Sequence, residues 1–130
     1  MRALLPGLSK TTSIQIIDLS ANRIDDSDLD WLICKLIRNQ KTLKNEIKWK
    51  AALRDELPEY ETCRSLKVLN LSHNRISCKG IEMMADELKD DNHMRSLILR
   101  ANCIGTKGVK TVRKLLKQNN SLFSVDLRGN

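Results

Sequence analysis

A chain of 130 residues is long enough for one domain with a usable core, and 41% hydrophobic against 30% charged residues is ordinary globular composition. Aromatics at 3% require an aliphatic core, and no apolar run approaches the roughly 18 residues that span a membrane. The net charge of +7 is uneven, with −1 over residues 1–37, +3 over 38–67, −2 over 68–94 and +7 over 95–130; such a local patch suits an acidic protein, a nucleic acid or a membrane surface.

The opening MRALLPGLSK is too short, and too broken by Pro6 and Gly7, to read as a signal peptide. From Ile14 onward one pattern recurs: aliphatic, two residues, aliphatic, one residue, aliphatic, two residues, Asn. It is met at Ile14-Ile17-Leu19-Asn22, Leu66-Leu69-Leu71-Asn74, Met94-Leu97-Leu99-Asn102 and Leu122-Val125-Leu127-Asn130. The last two Asn-to-Asn steps are 28 residues and the first is 52, so one repeat carries a 24-residue insertion. Alternation along a short strand turns the fourth and sixth motif positions inward and the residues between them outward. The turn that follows buries backbone N–H and C=O groups. An Asn amide, with both donors and acceptor, can satisfy them as a ladder of Asn22, Asn74, Asn102 and Asn130. Ile24, Ile76 and Ile104 then return the chain to the core.

Each strand should be followed by a helix. In the first repeat Asp28, Leu29, Leu32, Leu36 and Ile37 make the inner face, with Asp25, Asp26, Ser27 and Asp28 suited to a helix N-terminus. Then comes NQKTLKNEIKWKAALRDELPEYETCR, where Leu43, Ile47 and Ala51 recur every four residues beside a second stripe of Trp49, Leu53 and Leu57, until Pro58 breaks the helix. Either the first helix is simply longer and covers its own flank, or the extension displays Trp49 with Lys44, Lys48, Lys50 and Arg54 as a docking element. The second repeat offers Gly80, Ile81, Met84, Ala85 and Leu88. The third offers Gly108, Val109, Val112, Leu115 and Leu116, with Lys107, Lys110, Arg113, Lys114 and Lys117 outside. Asn39, Asn92 and Asn119 or Asn120 are expected to close the helices. The repeats are therefore set at about 14–41, 66–93, 94–121 and 122–130, with a helical insertion at about 42–65, in a single domain over residues 1–130.

A strand plus a full helix in 28 residues resembles the ribonuclease-inhibitor-like class of leucine-rich repeat. The implied fold is an α/β right-handed solenoid of about three and a half repeats, parallel strands on the concave face and helices on the convex face. The sequence halts at Asn130 before a helix, so we expect a fragment of a longer protein, able to self-associate through uncapped ends. The Trp49-x-x-x-Leu53-Arg54-x-x-x-Pro58 spacing, with Leu66 and Asn74 at fixed distance beyond it, resembles the interrupted repeat of the centrosomal protein of 78 kDa family, over roughly Leu36 to Asn130. That resemblance implies a cytoplasmic protein of centrosomes, centrioles and basal bodies acting in cilium assembly, with centriolar protein partners. The coiled coil that the family carries has no counterpart in this sequence.

Outward residues fall into columns on the concave face: Ile16, Val68, Ser96 and Ser124; Asp18, Asn70, Ile98 and Asp126; Ser20, Ser72, Arg100 and Arg128. With His73 at a strand exit, the expected partner-binding residues are Asp18, Asn70, Ser72, His73, Ile98, Arg100, Asp126 and Arg128, and the insertion offers Trp49, Lys50 and Arg54 as an alternative. Arg100 beside Arg128 would make a basic edge for a carboxylate or acidic peptide. Nucleic acid is disfavoured, since none of Trp31, Trp49, Tyr60 and Phe123 lies among the basic residues of the last helix. Cys34, Cys63, Cys78 and Cys103 are scattered without a C-x-x-C pair, which favours free thiols in a reducing cytosol over two disulfides. There is no glycine-rich phosphate loop, no GxSxG and no metal-ligand spacing. The expected function is thus a non-enzymatic protein-interaction scaffold without cofactor, metal or small-molecule substrate. The alternative is a leucine-rich repeat regulator of another cytosolic complex, such as a ubiquitin-ligase substrate reader, a GTPase regulator or an enzyme inhibitor.

Overall fold

An inward aliphatic between two outward residues gives each repeat a strand of only three residues. The computed structural model describes residues 14–55 and 65–130. Within them β1 (Ile16–Asp18), β2 (Val68–Asn70), β3 (Ser96–Ile98) and β4 (Ser124–Asp126) form one parallel sheet in the order β1-β2-β3-β4. Ile17, Leu69, Leu97 and Val125 stand opposite one another across the three pairings. The register thus steps by whole repeats, as a solenoid requires. Ile17, Leu69 and Leu97 are buried, as are Leu71, Leu99 and the returning Ile24, Ile76 and Ile104. Each such side chain contributes about 1.5–3 kcal/mol on leaving water.

The helices lie along the other side. The first is compound: a turn of α-helix, α1 (Asp26–Leu29), passes through a π-helical turn, Asp30–Cys34, into α2 (Lys35–Leu53). Asp25 caps it by accepting from the Ser27 and Asp28 amides at 2.9 and 3.0 Å. The π turn lets Leu36 and Ile37, neighbours in sequence, both reach the core with Leu29 and Leu32. Next come α3 (Cys78–Leu88), capped by Ser77, and α4 (Gly105–Gln118), which has no side-chain cap. α3 packs along α4 on one side and along α1 and the π turn on the other. Gly80 makes the second contact possible, because a Cβ there would run into the Asp26 carboxylate and Leu29. Asp26 meanwhile accepts from the Ser77 amide at 2.8 Å and from its hydroxyl, tying the helix starts of successive repeats together.

The Asn ladder runs between repeats. The Asn74 side chain accepts from the Asn22 and Ile24 amides and donates to the Leu19 and Leu71 carbonyls. Asn102 does the same for Ile76, Leu71 and Leu99. Asn130 serves Asn102, Ile104, Leu99 and Leu127. Asn74, Asn102 and Asn130 therefore each bond the turn of the repeat before as well as their own. Asn22 is exposed, and its amide donates to the Ser20 carbonyl within its own turn. The residue before each ladder Asn is left-handed, with φ of 57° at Ala21, 55° at His73, 52° at Ala101 and 74° at Gly129. That turn swings the Asn amide back onto the carbonyls.

Three expectations need correction. Asn39 does not close a helix: it sits inside α2, because no Gly or Pro interrupts residues 35–53. Asn92 does not close one either. α3 ends at Leu88, and Asp91 takes up the chain beyond it, accepting from the His93 and Met94 amides at 3.0 and 2.7 Å. Val109 and Leu116, placed on the inner face by periodicity, are 41% and 42% exposed. Their counterparts one repeat earlier, Ile81 and Leu88, are buried in α3, which packs along α4 and also along α1 and the π turn, whereas among the described helices α4 packs along α3.

Candidate partner-binding surface

The sheet register brings the outward columns together as read from the sequence. Ile16, Val68, Ser96 and Ser124 share one row, and Asp18, Asn70, Ile98 and Asp126 share the next. Backbone bonds continue the ladder past the strands, from Ala21 to Ser72, His73 to Arg100 and Ala101 to Arg128. Ser20, Ser72, Arg100 and Arg128 thus form the third row.

Several of these side chains are occupied by their own turns. The Asp18 carboxylate accepts from the Ser20 amide at 2.9 Å and its hydroxyl at 2.6 Å, and from the Asn70 amide at 3.0 Å. The Ser20 hydroxyl, then the Ser20 amide and Asn70, hold its pKa below the ordinary carboxylate value. Asn70 in turn accepts from the Ser72 amide and hydroxyl. Ser72 is buried and turned back onto Asn70, so it offers no side-chain surface to a partner. His73 is exposed but sits at the left-handed turn position. Ile98 interrupts the polar row without any such bond, half-buried, and Arg100 beyond it is exposed.

The expected Arg100–Arg128 basic edge is thereby altered. Arg128 forks onto Asp126, with Nε at 2.9 Å from Oδ1 and Nη2 at 2.6 Å from Oδ2. The Arg128 side chain, then its amide, holds the Asp126 carboxyl down to about 2, with Arg100 adding a smaller pull. Because the folded pKa is depressed, this pair favours the fold above the ordinary 3.8 and is lost as pH falls through about 2. Arg128→Gln should move the Asp126 pKa upward from about 2 toward 3.8, read by carboxyl-carbon NMR titration. An unmoved titration would mean that the fork does not form in solution.

The insertion residues lie on the helical layer, apart from the sheet rows. Trp49 and Leu53 are 68% and 69% exposed, Lys50 and Arg54 are exposed, and Ala51 on the opposite side is buried. The extension both continues the first helix and displays Trp49. Pro58 and Leu57 lie outside the described residues, as does Cys63, and nothing is described of the Cys34 side chain. Cys78 and Cys103 are free thiols.

One feature escaped the sequence reading. A groove of about 570 Å³ runs between α2 and the chain after α3, with Lys41, Lys44 and Lys48 on one wall and Asp90, Asp91 and His93 on the other. Burial, then the Lys44 charge, lowers the His93 pKa. Lys41 bridges the walls by donating to the Glu87 carbonyl at 3.0 Å. The lysine spacing of three and four residues was visible in the sequence; the wall opposite was not.

A family model described as Leucine Rich repeat matches residues 62–85 and 90–112. The fold is a leucine-rich repeat solenoid. A structure of leiomodin-1 actin-binding site 2 superposes with a TM-score of 0.66 at 21% identity, over 95% of this chain and 59% of its own. The tropomodulin C-terminal domain of Caenorhabditis elegans gives a TM-score of 0.55 at 17% identity, over 97% of this chain and 81% of its own. The chain thus spans about 59% of the length of the leiomodin structure, and at these identities the likeness is one of fold. The curated proteins compared yield no match.

Proposed function

We propose that the chain is a non-enzymatic protein-binding scaffold that uses the concave face of its sheet. The observation carrying this reading is the aligned outward rows, in which Ile98 and exposed Arg100 stand beside the Asp126–Arg128 fork while neighbouring polar residues are spent on their own turns. An aliphatic patch next to a guanidinium suits a peptide that pairs a carboxylate with an apolar side chain. The leucine-rich repeats, and a leiomodin-1 structure of the same fold named for its actin-binding site, support protein binding in general.

The finer reading is a cytoplasmic component of the centrosome, centriole or basal body acting in cilium assembly. Its support is the Trp49-x-x-x-Leu53-Arg54-x-x-x-Pro58 spacing through which the sequence resembles that family. Proximity labelling with the wild type, an Ile98→Lys/Arg100→Glu variant and a Trp49→Ala variant separates the two layers of the proposal. Neighbours lost in the concave variant and kept in the Trp49 variant are expected, centriolar proteins among them. Neighbours indifferent to the concave variant would sink the concave reading. Neighbours that depend on it but include no centriolar protein would remove only the finer one.

A further inference from the structure

The turns that carry the Asn ladder also carry arginines that no carboxylate holds. The positions one past a ladder Asn are Arg23, Arg75 and Cys103, and those two before it are Ser20, Ser72, Arg100 and Arg128. The four arginines and His73 are exposed. The Arg75 amide donates to the Ile24 carbonyl and the His73 amide to the Arg100 carbonyl, each at 2.8 Å. Arg23, Arg75, His73 and Arg100 therefore follow one another across the strand exits, with about 5 Å between successive repeats. Ion pairs among the described residues join Arg38 to Glu87, Lys107 to Glu82 and Arg128 to Asp126. Arg128 is thus engaged, and Arg23, Arg75 and Arg100 are not. The carboxylates at this end are engaged too: Asp18 accepts from Ser20 and Asn70, Asp25 from the Ser27 and Asp28 amides, and Asp26 from Ser77. At the strand entrances, by contrast, the Arg95 guanidinium lies over the Phe123 ring at 5.2 Å. His73, Arg75 and Arg100 belong to the second and third repeats, each with a strand on either side. A repeat added at either end of the stack would leave them open.

We propose that this rim of Arg23, Arg75, His73 and Arg100 binds an acidic, extended segment of a partner protein that crosses the strand exits. Each guanidinium presents a planar fork that matches a carboxylate. Alternate side chains of an extended segment recur about every 7 Å, within reach of flexible arginine stems one repeat apart. A nucleic-acid backbone would meet the same forks, but its bases would find no ring to stack on. Among the described aromatics, Trp31 and Trp49 lie on the helical layer and Phe123 at the strand entrances. The inference rests on the protein-binding reading above and deepens it. Ile98 takes an apolar side chain of the partner, while the rim takes its acids and sets the segment across the strands instead of along them.

The test uses the whole chain and a synthetic peptide of alternating glutamate and serine with one central leucine. Its lysine-for-glutamate counterpart and a single-stranded oligonucleotide of equal charge are run beside it. The acidic peptide should bind, shift the amide resonances of residues 72–75 and 100–103, and weaken as salt rises. Arg75→Glu and Arg100→Glu should each weaken it about tenfold or more. Arg113→Glu, an equal change of charge on α4, should leave it within about twofold. All three side chains are exposed, so the fold survives each change. Equal losses at Arg75 and Arg113 would overturn the proposal, since net charge alone would then explain the binding. Binding that needs Arg100 and Ile98 but ignores Arg75→Glu would remove the rim and leave the concave reading standing. Binding lost in Arg75→Glu but kept in Ile98→Gln would uphold the rim and tell against the apolar part of the concave reading. An oligonucleotide that binds more tightly than the peptide through Arg75 would overturn the choice of a protein partner. Concentration-dependent dimers with residues 72–75 protected would likewise give the rim to a second copy.

Discussion

Asn74→Ala and Asn102→Ala should each lower the unfolding free energy by about 3 kcal/mol, whereas Asn22→Ala should cost less than about 0.5 kcal/mol. The difference follows from what each amide serves. Asn74 is 6% exposed, accepts from the Ile24 amide at 2.9 Å and donates to the Leu19 and Leu71 carbonyls at 2.9 Å each. Alanine strands these groups in a turn whose neighbours Leu71 and Ile24 have no exposure at all, and each stranded group costs about 1–3 kcal/mol when water cannot reach it. Asn102 is in the same position, 8% exposed and bonded to Ile76, Leu71 and Leu99. Asn22 makes its one side-chain bond at an exposed turn.

The ladder also predicts the shape of the series. Asn130 makes the same bonds as Asn74 but from an exposed position, so its alanine variant should fall between the extremes, at about 1 kcal/mol. Asn74→Asp should be no better than alanine, because a carboxylate keeps the acceptors yet sets a charge against three carbonyls. The Leu71 carbonyl accepts from both Asn74 and Asn102. The two alanine changes should therefore be non-additive when combined. Urea unfolding of the five single variants and the double measures all of this. Equal losses at Asn22 and Asn74 would mean that the amides act within their own turns and not between repeats.

How far the sequence carried the reading depends on whether a position is decided by period or by neighbour. Strand register, inward leucines and ladder Asn residues all follow from alternation and a 28-residue repeat, so they were legible. Val109 and Leu116 were misplaced because a period of 3.6 marks a helix face without saying whether another helix covers it. Asp18, Asn70 and Asp126 were rightly placed on the outward face. Alternation along three residues cannot reveal that each folds back onto the amide two residues on, as seen at Ser20, Ser72 and Arg128. That bond leaves Ile98 and Arg100 as the open part of the row. Asn39 lies 52 residues before Asp91, the step that carries the insertion, and Asp91 lies 28 before Asn119; only the uninterrupted run of helix formers after Asn39 carried α2 through.

The last helix-end position makes the sharpest remaining test, because the sequence offered Asn119 and Asn120 as equals. Asn119 is 5% exposed. Its amide donates to the Leu88 and Asp91 carbonyls at 2.6 and 2.7 Å, and its oxygen accepts from the Ser121 and Leu122 amides at 2.7 and 2.8 Å. It thus joins the end of α3 to the start of β4, a second inter-repeat bridge at the opposite end of the strands from the Asn ladder. Asn119→Ala should cost about 3 kcal/mol and Asn120→Ala, at an exposed position, less than about 0.5 kcal/mol. Asp91 holds the same register but shows only the accepting half of the job, taking the His93 and Met94 amides. A neutral acceptor suffices there, so Asp91→Asn should be tolerated within about 0.5 kcal/mol while Asp91→Ala costs about 1–2 kcal/mol. Thermal unfolding of the four variants reads the result, and a loss at Asn120 rivalling that at Asn119 would move the bridge to the wrong side of the turn.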